Sequence, residues 1–464
     1  MERKNGMYQF TGLATIAAVL FASHVACSLL PGGKPASGRE SSTPRATGGG
    51  SAEGFACFAS FEGVTCLSAE GWKTYTKKNS DMPIDYIRDL AACSDMKIYA
   101  AGSDGGVASF DGEKWELLAM DTYYVSYHVA CAPDGGVWAE FGYKSGIGRY
   151  ADGRWTVFPT TDFDSSEEPG IVSSLAVAPD GTVWAATNDS VAMYDGSFWK
   201  EFKEGSGFSG RVSQFKLAID SKNRVYATIF GNLYRYENGE WRVVDQLDFS
   251  LIQSLAVDPQ DRLWVNTVIT GAHIFDGSGW SSVSYQGGDI HSNGVNQAAF
   301  DRSGRVWLAT AYGIDVRMDG YWTPFRMDNA ELTENEFAAV AVVGDGPPLP
   351  EAETKGTGSI TGVVRDGGEL LADAEMEICV ESLGGLYFGE TPCSGQPFVR
   401  QAKTDAVGKF SVSDLPVGFY VMNIRIGDAW NRLWLENYSV RVPVVEGQET
   451  DAGEMKPRPL TKAQ

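Results

Sequence analysis

A repeat of roughly 42 residues, running from about position 55 to about position 345, constrains this chain more than any other feature of its 464 residues. Its clearest copy, residues 172–202 (VSSLAVAPDGTVWAATNDSVAMYDGSFWKEF), splits into four short runs, with turn pairs at Asp180-Gly181 and Asp195-Gly196. Alternating apolar runs with Asp-Gly turns imply antiparallel strands in hairpins, so each copy is one four-stranded blade. A tryptophan opens the fourth run of every copy, at Trp72, Trp115, Trp155, Trp199, Trp241, Trp280 and Trp322. A second aromatic recurs in the second run as Tyr99, Trp138, Trp184, Tyr226, Trp264 and Trp307. Side chains that return in every copy are packing devices, and these rings are expected to wedge between neighbouring sheets, each burying about 150–250 Å². The expected fold is all-β, a seven-bladed β-propeller over residues 54–346.

The first copy lacks its leading strand, and a matching strand stands at the far end of the repeat. Residues 336–346 (EFAAVAVVGDG) repeat the leading run and its Asp-Gly turn, with no second, third or fourth strand behind them. The ring is therefore expected to close by pairing that strand into the first blade, which removes the exposed edge of an open array. Closure puts Cys57 and Cys66 on adjacent strands of blade 1. It puts Cys93 and Cys131 at the same repeat position in blades 2 and 3, where a bond needs Cα atoms within about 7 Å.

Residues 1–26 carry Arg3 and Lys4, an apolar core at 13–22 and then Ser23-His24-Val25-Ala26 before Cys27. That is the layout of an export signal, with a core too short to span a bilayer. Residues 27–53, rich in Gly, Ser, Pro and Thr, form a flexible tether with a span of roughly 25–30 Å. Val25-Ala26-Cys27 resembles the end of a bacterial lipoprotein cleavage box, with His24 where that box has an aliphatic residue. The resemblance implies a lipid on Cys27 and an anchor in the cell envelope or surface; the alternative is free secretion. Of seven cysteines, a lipidated Cys27 leaves Cys57, Cys66, Cys93, Cys131, Cys379 and Cys393 as an even set for an oxidising compartment. The alternative to disulfides is a propeller with reduced, buried cysteines.

The repeats resemble the two-component regulator propeller family, and more distantly the streptogramin lyase propellers, in the leading Ala-Val-Asp/Pro strand, the Asp-Gly turn and the Val-Trp-x-Ala-Thr strand. The resemblance implies the propeller fold and an extracytoplasmic, sensory setting. No kinase follows in this sequence, so a direct signalling output is not expected. After a linker at 347–357, residues 358–457 change to longer alternating strands, with a tail at 458–464. Gly362-Val363-Val364, Thr404-Asp405, Gly408-Lys409-Phe410 and the run from Leu415 to Tyr420 resemble the carboxypeptidase regulatory-like module. That implies an Ig-like or prealbumin-like β-sandwich acting as a folding and spacing partner without catalytic residues. Cys379 and Cys393 are expected to staple its excursion around Tyr387, and Trp430 and Trp434 are expected in a core or a domain interface.

A formal net charge of −22 excludes a nucleic-acid partner, because phosphate recognition needs a basic footprint. In a four-stranded blade the turns after strands one and three share one face, and those after strands two and four share the other. The first set is short and repetitive, whereas segments 76–86, 159–171, 203–211 and 285–295 vary in length and type, so a binding site is expected on that variable face around the channel mouth. Candidate ligand-binding residues there are Tyr86, Arg88, Tyr124, His128, His291 and Asn296. Past the signal only His128, His273 and His291 remain, with no recurring metal-ligand spacing. The acidic loop at 160–168 lacks the spaced ligands of a calcium loop. No cofactor, metal or catalytic residue is implied, and the chain is expected to be monomeric. The leading reading is an extracytoplasmic, membrane-tethered binding or sensory protein for a glycan, a peptide or another surface protein. The alternatives are a lyase or hydrolase of the streptogramin lyase type, and a purely structural surface protein.

Overall fold

The short strands and turn pairs of the repeat fold as antiparallel sheets in the computed structural model. It describes residues 54–462, apart from 105, 119–124, 143–144, 166–170, 188–189, 204–205, 207–214, 230, 250, 353, 381–385, 388 and 436–440. The expected signal, the tether, Cys27 and Tyr124 lie outside the described residues. Seven four-stranded antiparallel sheets make the propeller. The strand that leads each copy is innermost, and these inner strands lie one against the next in a ring: Phe337–Val342, Asp85–Ala92, Val129–Cys131, Ser174–Val177, Lys216–Ile219, Ile252–Val257 and Val295–Phe300. The ring closes as the sequence implies. Phe337–Val342 pairs antiparallel with Ala56–Ser60, setting Ala341 opposite Cys57, and Val343 N donates to Phe55 O at 2.8 Å.

Each inter-blade layer holds a second-strand aromatic from one blade and the fourth-strand tryptophan of the next. Trp184 and Trp241 share one cluster, Trp264 and Trp322 another, and Trp307 and Trp72 a third. Blade 1 departs from the pattern. Its second-strand wedge position, opposite Ala341, is Cys57, which is bonded to its cross-strand neighbour Cys66 across a Cα separation of 4.0 Å. Phe55 and Tyr75 fill the space around Trp115 there.

Cys93 and Cys131 are also bonded, at a Cα separation of 5.4 Å, but they are not at the same repeat position. Ala91 lies opposite Tyr99 and Ala130 opposite Trp138, so Cys93 aligns with Ala132. The one-residue offset is what permits the bond. Neighbouring blades present opposite sheet faces to each other, and along a strand that face changes with every residue. Cys93 and Cys131 pack in the same layer, whereas Ala132 packs in the next one.

Residues 355–464 make a second unit. Nine strands form one continuous curled sheet over a core that includes Ile360, Met376, Ile378, Leu415, Tyr420, Met422 and Met455. The curl follows from Glu449–Pro459, which pairs parallel with Thr357–Asp366 through its first half and antiparallel with Ala429–Trp434 through its second. Residues from 458, expected as a tail, belong to strands: Glu449–Pro459 runs on, and Thr461–Lys462 pairs with Leu386–Tyr387. Their backbone groups complete the neighbouring strands, which explains why they are ordered despite polar side chains. Cys379 and Cys393 are bonded, with Cα atoms 5.9 Å apart. Trp430 is buried, and the Arg458 guanidinium lies 4.3 Å from the Trp434 ring. The linker start is fastened within the propeller unit, where Arg305 Nη1 donates to Pro347 O at 2.6 Å.

Candidate functional site

Cross-strand pairing supplies a register that sequence spacing alone does not. Ala91, Ala130, Ala176, Ala218, Ala256 and Ala299 each lie opposite the second-strand aromatic of their own blade, and Ala341 lies opposite Cys57. Two residues earlier on each inner strand, toward the variable face, stand Asp89, His128, Ser174, Lys216, Ser254, Gln297 and Ala339. These seven positions form one ring at the channel mouth, and it is polar in six blades of the seven.

The ring is wired together. Asp89 Oδ1 accepts from Leu90 N at 2.9 Å and from Gln297 Nε2 at 3.1 Å; Asp89 Oδ2 accepts from Val129 N at 3.2 Å and lies 3.7 Å from His128 Nδ1. Gln297 belongs to blade 7 and Asp89 to blade 2, so their contact passes the ring position of blade 1. That position is Ala339, whose side chain ends at Cβ and leaves the way open. Gln297 Oε1 is held in turn by Val340 N at 2.6 Å. On the second strand of blade 3, Glu140 pairs back to His128, its N donating to His128 O at 3.0 Å. Its carboxylate is 1% exposed, and Oε2 accepts from Tyr127 N at 2.9 Å. Burial pushes the Glu140 carboxyl up to about 7, against the opposing pull of His128 and of that backbone N–H. Lys216 is partly exposed along the channel, and burial pushes its ammonium down while the Asp89 charge acts in the other direction. In blade 6 the Asn266 amide donates to Ser254 Oγ at 2.9 Å, and its buried Oδ1 has no hydrogen-bond partner.

Four consecutive blades carry a strand irregularity just before the ring. The ladder skips Arg88 in blade 2, Gln253 in blade 6, Asn296 in blade 7 and Ala338 in blade 1. An extra residue in one strand bends it and re-aims its side chains. Tyr86 sits at φ 52°, a left-handed conformation that is uncommon for a side-chain-bearing residue, and its ring lies 5.1 Å from that of Phe61 in the second-to-third strand turn of blade 1. Phe61 is exposed. Of the residues expected from sequence, Arg88 and Asn296 are the skipped residues of blades 2 and 7, His128 is the ring residue of blade 3, and Tyr86 stands three residues before Asp89; Asn296 Nδ2 donates to Phe337 O at 2.8 Å. His291 lies apart: its Nδ1 is 2.8 Å from Asp315 Oδ1, on the third strand of blade 7. Asp89, Glu140, Lys216 and Gln297 were not expected. For Asp89, Lys216 and Gln297 the signal is a polar residue two places before the recurring alanine, read from the alanine side of the skipped residues; Glu140, on a second strand, carries no such signal.

A hollow of about 370 Å³ lies between the outer parts of blades 5 and 6 and is lined by Asp245, Asp248, Phe249, His273 and Trp280. The His273 ring stacks on Phe249 with centroids 3.8 Å apart, its Nε2 is 2.9 Å from Thr270 Oγ1, and burial lowers its basicity. In the acidic loop, Thr160–Asp162 form a single 3-10 turn and Ser165 donates through N and Oγ to Glu201. Among the described residues no group of three His, Cys, Asp or Glu side chains is arranged to hold a metal.

No protein-family model matches the sequence, and no curated protein matches it. Solved structures of similar fold include virginiamycin B lyase from Staphylococcus aureus, at 10% identity over 73% of this chain and 97% of that one, with a TM-score of 0.46. The extracellular domain of a putative hybrid two-component system from B. thetaiotaomicron is 11% identical over 79% of this chain and 56% of its own, with a TM-score of 0.46. PorZ, a surface component of the type-IX secretion system of Porphyromonas gingivalis, is 14% identical over 83% of this chain and 63% of its own, with a TM-score of 0.46. The likeness is one of fold.

Proposed function

We propose that this chain is an exported binding or sensory propeller that takes a small ligand at the channel mouth, on the variable face. The observation that carries the reading is the ring position: the scaffold there asks only for something small, yet six blades place a polar side chain. Asp89, His128 and Lys216 bring ionisable groups of both signs to one opening, with the buried Glu140 paired to His128 through the backbone. Three disulfides suit an oxidising compartment. On this reading Cys27 carries the lipid, residues 27–53 are the tether, and the C-terminal unit is a carboxypeptidase regulatory-like spacer. The test is a thermal-shift screen of glycans, peptides and small polar metabolites on the purified chain, repeated on Asp89→Asn. A ligand that raises the melting point of the wild type, and does so less for the variant, supports a mouth site. Equal shifts in both place the ligand elsewhere.

A second reading, a lyase or hydrolase, is favoured by one observation. Glu140, with a carboxyl near neutrality beside His128, has the proton affinity of a general acid or base at physiological pH. Incubation with quinupristin, followed by mass spectrometry, tests the lyase form: intact quinupristin after exhaustive incubation ends it.

A further inference from the structure

Lys216 stands where an ammonium is costly. The equivalent ring positions of the flanking blades are Ser174 and Ser254, so the propeller itself does not require a cation there. No hydrogen bond or ion pair reaches Lys216 Nζ among the described residues, and the atom is not sealed away from the channel. The opposite charge that acts on it is Asp89, three blades away around the ring. That carboxylate lies beyond ion-pair distance; its Oδ1 accepts from Leu90 N and Gln297 Nε2, whereas its Oδ2 accepts only from Val129 N, with His128 Nδ1 3.7 Å away, and keeps acceptor capacity for a ligand. An ammonium that gives up part of its hydration in a narrow channel, with no counter-ion in contact, is held there at a cost. An anion entering the channel would offset that cost.

We propose that Lys216 anchors the carboxylate of a small hydroxy- or amino-carboxylate bound in the channel mouth, whose hydroxyl or ammonium group faces Asp89. This deepens the binding reading and rests on it. The charges around the ring select the class. A phosphate dianion gains Lys216 but meets the Asp89 carboxylate across the same channel, so most of the attraction is offset. A monoanion with its own hydrogen-bond donors meets a cation on one side and acceptors on the other. Asp89 is held in place for that role by the Gln297 bridge over Ala339, so it does not have to be ordered when the ligand arrives.

The experiment compares the wild-type chain with Lys216→Met and Lys216→Arg by differential scanning fluorimetry at pH 7 and constant ionic strength. The probes are lactate, alanine, acetate and inorganic phosphate. Lactate or alanine is expected to raise the wild-type melting point more than acetate, which lacks the donor, and more than phosphate; which of the two does so decides between hydroxyl and ammonium. Lys216→Met is expected to melt above the wild type without ligand, because the uncompensated charge is gone, and to bind the carboxylate at least roughly tenfold more weakly. Lys216→Arg is expected to keep the response. The proposal is overturned if Lys216→Met responds to lactate and alanine like the wild type, if phosphate is the best of the four, or if Lys216→Met melts well below the wild type, which would make Lys216 structural. A glycan or peptide that shifts wild type and Lys216→Met equally but not Asp89→Asn would refute the anchor and leave the mouth as a binding site. Equal shifts in all variants would remove the mouth itself.

Discussion

Replacing Glu140 with Gln should stabilise the propeller above neutrality and leave it unchanged in acid. The folded carboxyl titrates at about 7, against 4.5 for an unburied one, because burial outweighs the His128 charge and the Tyr127 N–H. A group whose folded value is raised binds, between those two values, a proton that the unfolded chain has already lost. Stability contributed by that proton is therefore complete below about pH 4.5 and is lost as the pH rises to about 7. At about 1.4 kcal/mol per pH unit, the loss is about 3 kcal/mol. Gln keeps a carbonyl acceptor for Tyr127 N and removes the ionisation. The two proteins should have matching urea midpoints at pH 4, separate through pH 5 and 6, and differ by about 3 kcal/mol in the propeller transition at pH 8, with tryptophan fluorescence as the signal. In a thermal scan this is about 5–10 °C. Parallel curves across the range would refute the burial argument. A Gln variant less stable at pH 8 would mean that the ionised carboxylate is satisfied in the folded protein, with His128 as its cation.

Trp264→Ala should cost about 3–5 kcal/mol, since this fully buried ring fills the layer between blades 6 and 7, and its Nε1 donates to Asp258 Oδ2 at 3.0 Å; urea unfolding measures it. Loss of the Cys93–Cys131 bond in the Cys93→Ala/Cys131→Ala double variant should lower stability by about 2–4 kcal/mol, because 38 residues of chain are then free to open, and the same assay under non-reducing conditions reads the difference. Gln297→Ala should leave the fold intact but loosen Asp89, seen as a ligand response in the thermal-shift screen that is weakened in the same direction as in Asp89→Asn. Cys27→Ala should move the protein from the membrane fraction to the soluble one, and retention in the membrane would defeat the lipid anchor.

The blade count, the closing strand and the variable face were legible because they depend on local chemistry that every copy repeats: a hairpin turn, an alternating strand, one wedge aromatic. A repeat makes each signal several times over, so irregular copies do not obscure it. Tyr86, Arg88, His128 and Asn296 could be proposed because they sit where irregular segments enter inner strands. His291 shared that address, but Asp315 on another strand holds it away from the mouth, a contact set by blade packing.

The amino-acid sequence by itself determined the propeller, its closure and the ends of its disulfide framework, since strand period and turn chemistry act over a few residues. Only the tertiary structure decided the ring. Skipped residues at Arg88, Gln253, Asn296 and Ala338 stand just before the ring, so a count carried in from the preceding loop is off by one, and a shift of one reverses the side of a strand on which a side chain lies. The same arithmetic brings Cys93 to Cys131. Asp89, Lys216 and Gln297 lie far apart along the chain and share one opening because seven inner strands meet around one axis, a relation that residue spacing does not carry.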